Sequence, residues 1–125
     1  MEKPLTSTYR EAADLVQTAD EENVFLFEAI LSCYSRNYDA LSEHLDALGN
    51  LKIIRANYSQ YRKGELATAF DPRCSGGCLY DLNVYNIHFV AGLFGAPKFA
   101  CHMANKGFNG IDTSGILIMD SSRLY

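Results

Sequence analysis

Tryptophan is missing from this sequence, a basic cluster is missing, and so is any apolar run that approaches the thickness of a bilayer. A spanning helix needs about 20 consecutive apolar residues, so no membrane association is expected. A formal net charge of -4 with no basic patch argues against a nucleic-acid surface. The chain opens with no signal-peptide pattern, which makes a cytoplasmic setting with reduced thiols the expectation. Internal repeats and low-complexity segments are absent too. What is present is the composition of a folded protein. Hydrophobic residues are 48% and charged residues 21% of 125 positions, enough for one domain with a modest core. Seven Phe and eight Tyr supply the aromatic bulk.

The four cysteines are Cys33, Cys74, Cys78 and Cys101. Cys74 and Cys78, with the distant Cys101-His102, could be arranged as a zinc site. Their spacing fits no standard ligand pattern, and Cys78 falls on the apolar face of a helix. Buried or half-buried thiols are the ordinary alternative, and no metal is expected.

The organising stretch begins at Gly76-Gly77, which closes the polar loop Asp71-Pro72-Arg73-Cys74-Ser75. The run from Cys78 to Phe94 is too long for a strand, and Cys78, Leu82, Tyr85 and Phe89 recur at the steps a buried helix requires. Asp81 and Tyr85 then sit one turn apart on one face, with His88 next along it. An acid, a phenol and an imidazole on one stripe belong either to a core helix that bonds its polar groups to neighbouring backbone, or to a site.

Elsewhere, Thr6 or Ser7 can cap a helix over about residues 7–20, with Glu11 completing the cap and Tyr9, Ala12, Ala13, Val16 and Ala19 as its apolar stripe. Val24-Phe25-Leu26-Phe27 reads as a buried parallel strand. A second helix comes next, capped by Ser35 or Asn37, carrying Tyr38, Leu41, Leu45 and Leu48, and stopped by Gly49. Residues 51–61 alternate as an antiparallel strand would, and Arg62-Lys63-Gly64-Glu65 is a loop. Gly95-Ala96-Pro97 breaks the chain, Lys98 to Ala104 and Asp112 to Met119 read as strands, and Asn105-Lys106-Gly107 and Asn109-Gly110 are turn signals between them. Asp120-Ser121-Ser122 is a turn, and Leu124-Tyr125 resembles the opening of a further strand. The expected fold is α+β: a mainly antiparallel sheet with helices packed on one face, preceded by a βαβ remnant of a Rossmann-type domain. Residues 1–28 form that remnant and residues 29–125 a partial second domain. Both ends look cut, and open sheet edges invite pairing, so a homo-oligomer is expected.

Three separated segments together resemble the glucose–fructose oxidoreductase/inositol dehydrogenase (Gfo/Idh/MocA) family. They are Glu2-Lys3-Pro4, then Glu28-Ala29, then Gly76 to Tyr85 followed by Leu93-Phe94-Gly95-Ala96-Pro97. Order and spacing match along nearly the whole chain, and it is the ordered set that is specific.

The resemblance implies a dehydrogenase acting on a sugar, polyol or similar alcohol with NAD or NADP. It assigns catalytic roles to Lys3, Tyr85 and Asp81: Lys3 is the motif lysine, with Lys3 and Pro4 on the cofactor side, Tyr85 takes the acid–base position, Asp81 is a substrate-orienting carboxylate, and either Lys3 or Tyr85 is the principal proton carrier. His88, one turn beyond Tyr85, is a substrate-side candidate with a structural role as its alternative. A free phenol, with a pKa of about 10, is a poor base at neutral pH, and an ammonium such as Lys3 would favour its ionised form. The sequence departs from the family in four places. The Gly-x-Gly-x-x-Gly loop is absent, as is the far end of the substrate-domain sheet, Asn83 stands where many relatives have Gly, and Arg36 where Pro is common. No cofactor is therefore expected to bind this chain alone. The competing reading is a non-catalytic oligomerisation or binding module derived from such an enzyme.

Overall fold

A computed structural model of the chain describes residues 1–61 and 69–120. Contacts divide the chain into two units, Met1–Ile30 and Leu31–Tyr125. The loop expected over Arg62 to Glu65 and the terminal Leu124-Tyr125 lie outside the described residues.

In the first unit, helix α1 covers Tyr9–Glu21. Its cap is Thr8, one or two residues later than the sequence suggests. The Thr8 hydroxyl accepts from the Glu11 amide at 3.3 Å, and the Glu11 carboxylate takes the Thr8 amide at 3.0 Å. This reciprocal pair satisfies two of the orphan donors at a helix start. The buried side of α1 runs through Ala12, Leu15 and Ala19, while Tyr9 is 89% exposed and Val16 is also exposed. The expected stripe is thus split: Ala12 and Ala19 face inward, and Tyr9, Ala13 and Val16 form a second, open apolar face. Residues 24–27 form no strand, and Phe25 is 91% exposed. An extended segment becomes a strand only when a neighbour takes its amides and carbonyls. Here residues 27–29 find Met1, whose amine donates to the Phe27 carbonyl and whose carbonyl accepts from Ala29 at 2.8 Å.

The second unit begins with a short 3-10 turn, Leu31–Tyr34, and helix α2, Arg36–Glu43. Ser35 caps α2 through its hydroxyl, which accepts from the Tyr38 amide at 3.2 Å. A further 3-10 turn, Leu45–Leu48, ends at Gly49, whose φ of 70° favours glycine. Residues 51–61 form no helix and pair with no strand among the described residues, so the expected ladder there is not formed. Another 3-10 turn, Pro72–Cys74, leads into the long helix. That helix opens with a π-turn, Leu79–Asn83, and continues as α3, Val84–Phe94. Strands β1, Phe99–Lys106, and β2, Asp112–Asp120, pair antiparallel, with Phe99 opposite Asp120 and Met103 opposite Ile116.

Helices and an antiparallel pair make this an α+β fold, as the sequence suggests. One face of the hairpin carries the half-buried His102, Leu117 and Met119 and borders clefts shared with the helix. The other carries Phe99, Met103, Ile116 and Ile118, all exposed. The buried apolar residues of this unit are Val84, Leu93 and Phe94 on α3 and Ile111 before β2. Tyr38 joins α2 to α3: its ring meets Phe89 edge-on at 5.6 Å, and its hydroxyl occupies the space a Cβ on Gly92 would need. Burial, and secondarily the neighbouring Cys33, raises the Tyr38 phenol above its ordinary pKa.

Candidate active site

Within the first unit, the Lys3–Pro4 peptide is cis and both residues are half-buried. Proline offers no amide proton, so Leu5 carries the first donor after it. That amide donates to Glu28 Oε1 at 2.7 Å. The segments carrying Glu2-Lys3-Pro4 and Glu28-Ala29 are therefore bonded to each other, and Glu28 acts as the anchor of the Lys3 loop.

A nicotinamide dinucleotide needs a helix N-terminus with free amides for its pyrophosphate. The start of α1 is taken by its own capping box, with the Glu11 carboxylate over the Thr8 amide and hydroxyl. Among the described residues, the start of α1 does not by itself offer that cradle. Among the described residues no group of three or more His, Cys, Asp or Glu could hold a metal ion.

Within the second unit the site is built around the start of the long helix. Gly77 has a φ of +119°, and a Cβ there would land on the carboxylate of Asp112. Only glycine suits both demands. Asp112, the first residue of β2, accepts at Oδ2 from the Leu79 amide at 2.7 Å and from the Cys78 thiol at 2.8 Å. Burial, with the Asp112 carboxylate adding to it, pushes the Cys78 thiol up to about 12. Two more ties hold this junction: Gly77 donates to the Ala69 carbonyl at 2.9 Å, and Asn109 Nδ2 donates to the Phe70 carbonyl at 2.7 Å.

Asp81 lies in the π-turn and lines a cleft of about 320 Å³ together with Asp112, Cys78, Gln60 and Tyr61. π-turns are rare and often accompany functional sites. Tyr85 comes one turn later, and its ring meets Tyr58 edge-on with centroids 5.5 Å apart. His88 is next on α3 and is half-buried. The structure thus carries Asp81, Tyr85 and His88 on one continuous helix, as expected, while Lys3 and Pro4 belong to the other unit. Asp112, Tyr58 and the anchoring role of Glu28 escape a reading of the sequence. Asp112 bonds to residues 33 and 34 positions earlier, and no local pattern marks such a partner.

No family model matches the chain. It is 33% identical over 125 residues to the scyllo-inositol 2-dehydrogenase (NADP(+)) IolU of Bacillus subtilis, a match covering 94% of this chain and 38% of that enzyme. It is 32% identical over 126 residues to the uncharacterized oxidoreductase YgjR of Escherichia coli, covering 95% of this chain and 38% of that protein. The mouse trans-1,2-dihydrobenzene-1,2-diol dehydrogenase is 34% identical over 99 residues, 78% of this chain and 29% of the enzyme. A solved structure of the Bacillus subtilis oxidoreductase yvaA superposes with a TM-score of 0.70 at 29% identity, over 99% of this chain and 36% of that one. The chain spans less than two fifths of the length of the curated relatives it matches. With its three motif segments in order, and with oxidoreductases as its relatives in sequence and in fold, the chain belongs to the Gfo/Idh/MocA family of oxidoreductases.

Proposed function

We propose that this chain supplies the substrate-side acid–base residues of an NAD(P)-dependent oxidoreductase acting on the CH–OH group of a sugar, polyol or related alcohol in the cytoplasm. In this reading residues 1–28 are the end of a nucleotide-binding domain and residues 29–125 part of a substrate and oligomerisation domain. The observation that carries it is the helix that sets Asp81, within a glycine-gated π-turn, four residues before Tyr85, just after it. Removing hydride from a carbinol carbon requires the hydroxyl proton to leave to a positioned base. Tyr85 receives that proton, and Asp81 accepts a hydrogen bond from a substrate hydroxyl and orients it. Lys3 is the motif lysine, and His88 is a further contact for the substrate. A nicotinamide, held by residues other than these, supplies the hydride acceptor.

The test joins this chain to the nucleotide-binding part of the Bacillus subtilis scyllo-inositol dehydrogenase. The assay follows nicotinamide absorbance with scyllo-inositol or trans-1,2-dihydrobenzene-1,2-diol and NAD or NADP. Turnover with one of these pairs is expected. A folded fusion that binds cofactor and turns over neither substrate contradicts the proposal.

A second reading, a non-catalytic oligomerisation module, is favoured by one feature, the exposed sheet face of Phe99, Met103, Ile116 and Ile118. Apolar faces of this kind mark association surfaces. Light scattering on the chain separates the two. A tight dimer that binds neither cofactor nor polyol, together with an inactive fusion, supports the module.

A further inference from the structure

We propose that Asp112 is a positioning residue for the Asp81–Tyr85 stripe, holding the opening turn of the long helix in register from across the hairpin. The inference rests on the oxidoreductase reading, in which those two side chains do the chemistry. Its own content is geometric.

A π-turn holds one more residue than an α-helical turn. If that residue is absorbed, everything before it rotates by about 100° relative to the helix after it, the angle of one residue at 3.6 per turn. Tyr85 lies just after the π-turn and Asp81 within it. The register of Leu79–Asn83 therefore sets how the Asp81 carboxylate is turned relative to the Tyr85 phenol.

Asp112 Oδ2 takes two donors from the residues that begin this turn, the Leu79 amide at 2.7 Å and the Cys78 thiol at 2.8 Å. Its side chain also sits where any Cβ at position 77 would have to go. The carboxylate is itself fixed. It starts β2, its neighbour Ile111 is buried, and the turn before it is tied to the Phe70 carbonyl through Asn109. Asp112 and Asp81 line the same cleft. The first turn of the helix is thus set by a strand residue distant in sequence, and the gate glycine exists to admit it.

The test uses the labelled chain in wild type and as Asp112→Ala, Asp112→Asn and Gly77→Ala, followed by NMR and circular dichroism. In Asp112→Ala the helical signal should persist. Leu79 amide exchange should rise about tenfold or more, the factor that goes with losing one hydrogen bond to a charged acceptor. The Overhauser pattern of the Asp81 β-protons and the Tyr85 ring should change from that of the wild type. Asp112→Asn, whose amide oxygen still accepts from Leu79, should restore both signals. Gly77→Ala, with Asp112 intact, should reproduce the alanine result by displacing the carboxylate.

Wild-type exchange and wild-type Asp81–Tyr85 contacts in a folded Asp112→Ala overturn the proposal. If Asp112→Ala fails to fold, Asp112→Asn and Gly77→Ala decide it: no rescue by the first, or no effect of the second, overturns it. None of these readouts needs turnover, so failure here is distinct from failure of the oxidoreductase reading.

Discussion

The ring of Tyr58 stands edge-on to the ring of Tyr85, centroids 5.5 Å apart and planes at 89°. Tyr58 comes from a segment that belongs to no helix or strand among the described residues, and it still braces the phenol proposed to take the proton. Edge-to-face pairs contribute about 0.5–1.5 kcal/mol beyond their buried area. In the active fusion, Tyr58→Ala should lower kcat about 2–10-fold with little change in KM for the cofactor. Tyr58→Phe, which keeps the ring, should be near wild type. Equal kinetics in all three proteins would show that the contact does not position Tyr85.

The Cys78 thiol gives a pH prediction. Held by Asp112 and by burial, it titrates at about 12, whereas Cys74 and Cys101 are exposed. At about pH 8 it holds roughly a thousandfold less thiolate than an ordinary thiol, so alkylation should label Cys74 and Cys101 first. The folded-state value is raised above the unfolded one. The stabilisation tied to the protonated thiol is therefore fully present below the ordinary value of about 8.5 and is lost as pH rises through about 12. Denaturant midpoints of wild type and Cys78→Ala should converge with rising pH over that window. A constant gap would contradict the assignment. Asp112→Asn should speed Cys78 alkylation.

The close approach of Tyr38 to Gly92 predicts non-additivity. Gly92→Ala places a methyl on the Tyr38 hydroxyl and should cost about 1–3 kcal/mol by overpacking. In a Tyr38→Phe background the same change should cost less, because the clashing oxygen is gone while the Phe89 contact survives. Urea unfolding of the four proteins measures the coupling, and additive effects would rule the contact out.

Local chemistry makes much of this legible. Cys78 to Phe94 declares a helix by periodicity, Gly49 and Gly95 mark helix ends, and Asn109-Gly110 places the hairpin turn. The hidden part depends on distant partners. The residues at 24–27 and 51–61 have strand-like composition, but a strand is defined by a neighbouring strand that takes its hydrogen bonds, and within the described residues neither segment is assigned to a sheet. The apolar stripe of α1 divides because Tyr9 and Val16 are as periodic as Ala12 and Ala19, and only packing distinguishes the two faces. The helix that carries Asp81, Tyr85 and His88, the proposed stripe, is visible in the sequence. Its supports, Asp112, Tyr58 and Glu28, are not, since each acts on a partner more than twenty residues away along the chain.

The most direct measurement is the turnover of Tyr85→Phe in the fusion that carries an intact nucleotide-binding half. If the phenol accepts the substrate's hydroxyl proton, kcat should fall about 10²–10⁴-fold while cofactor affinity holds, the usual loss when a general acid or base is removed. Turnover equal to wild type, in a protein that folds and binds cofactor normally, would contradict the assignment.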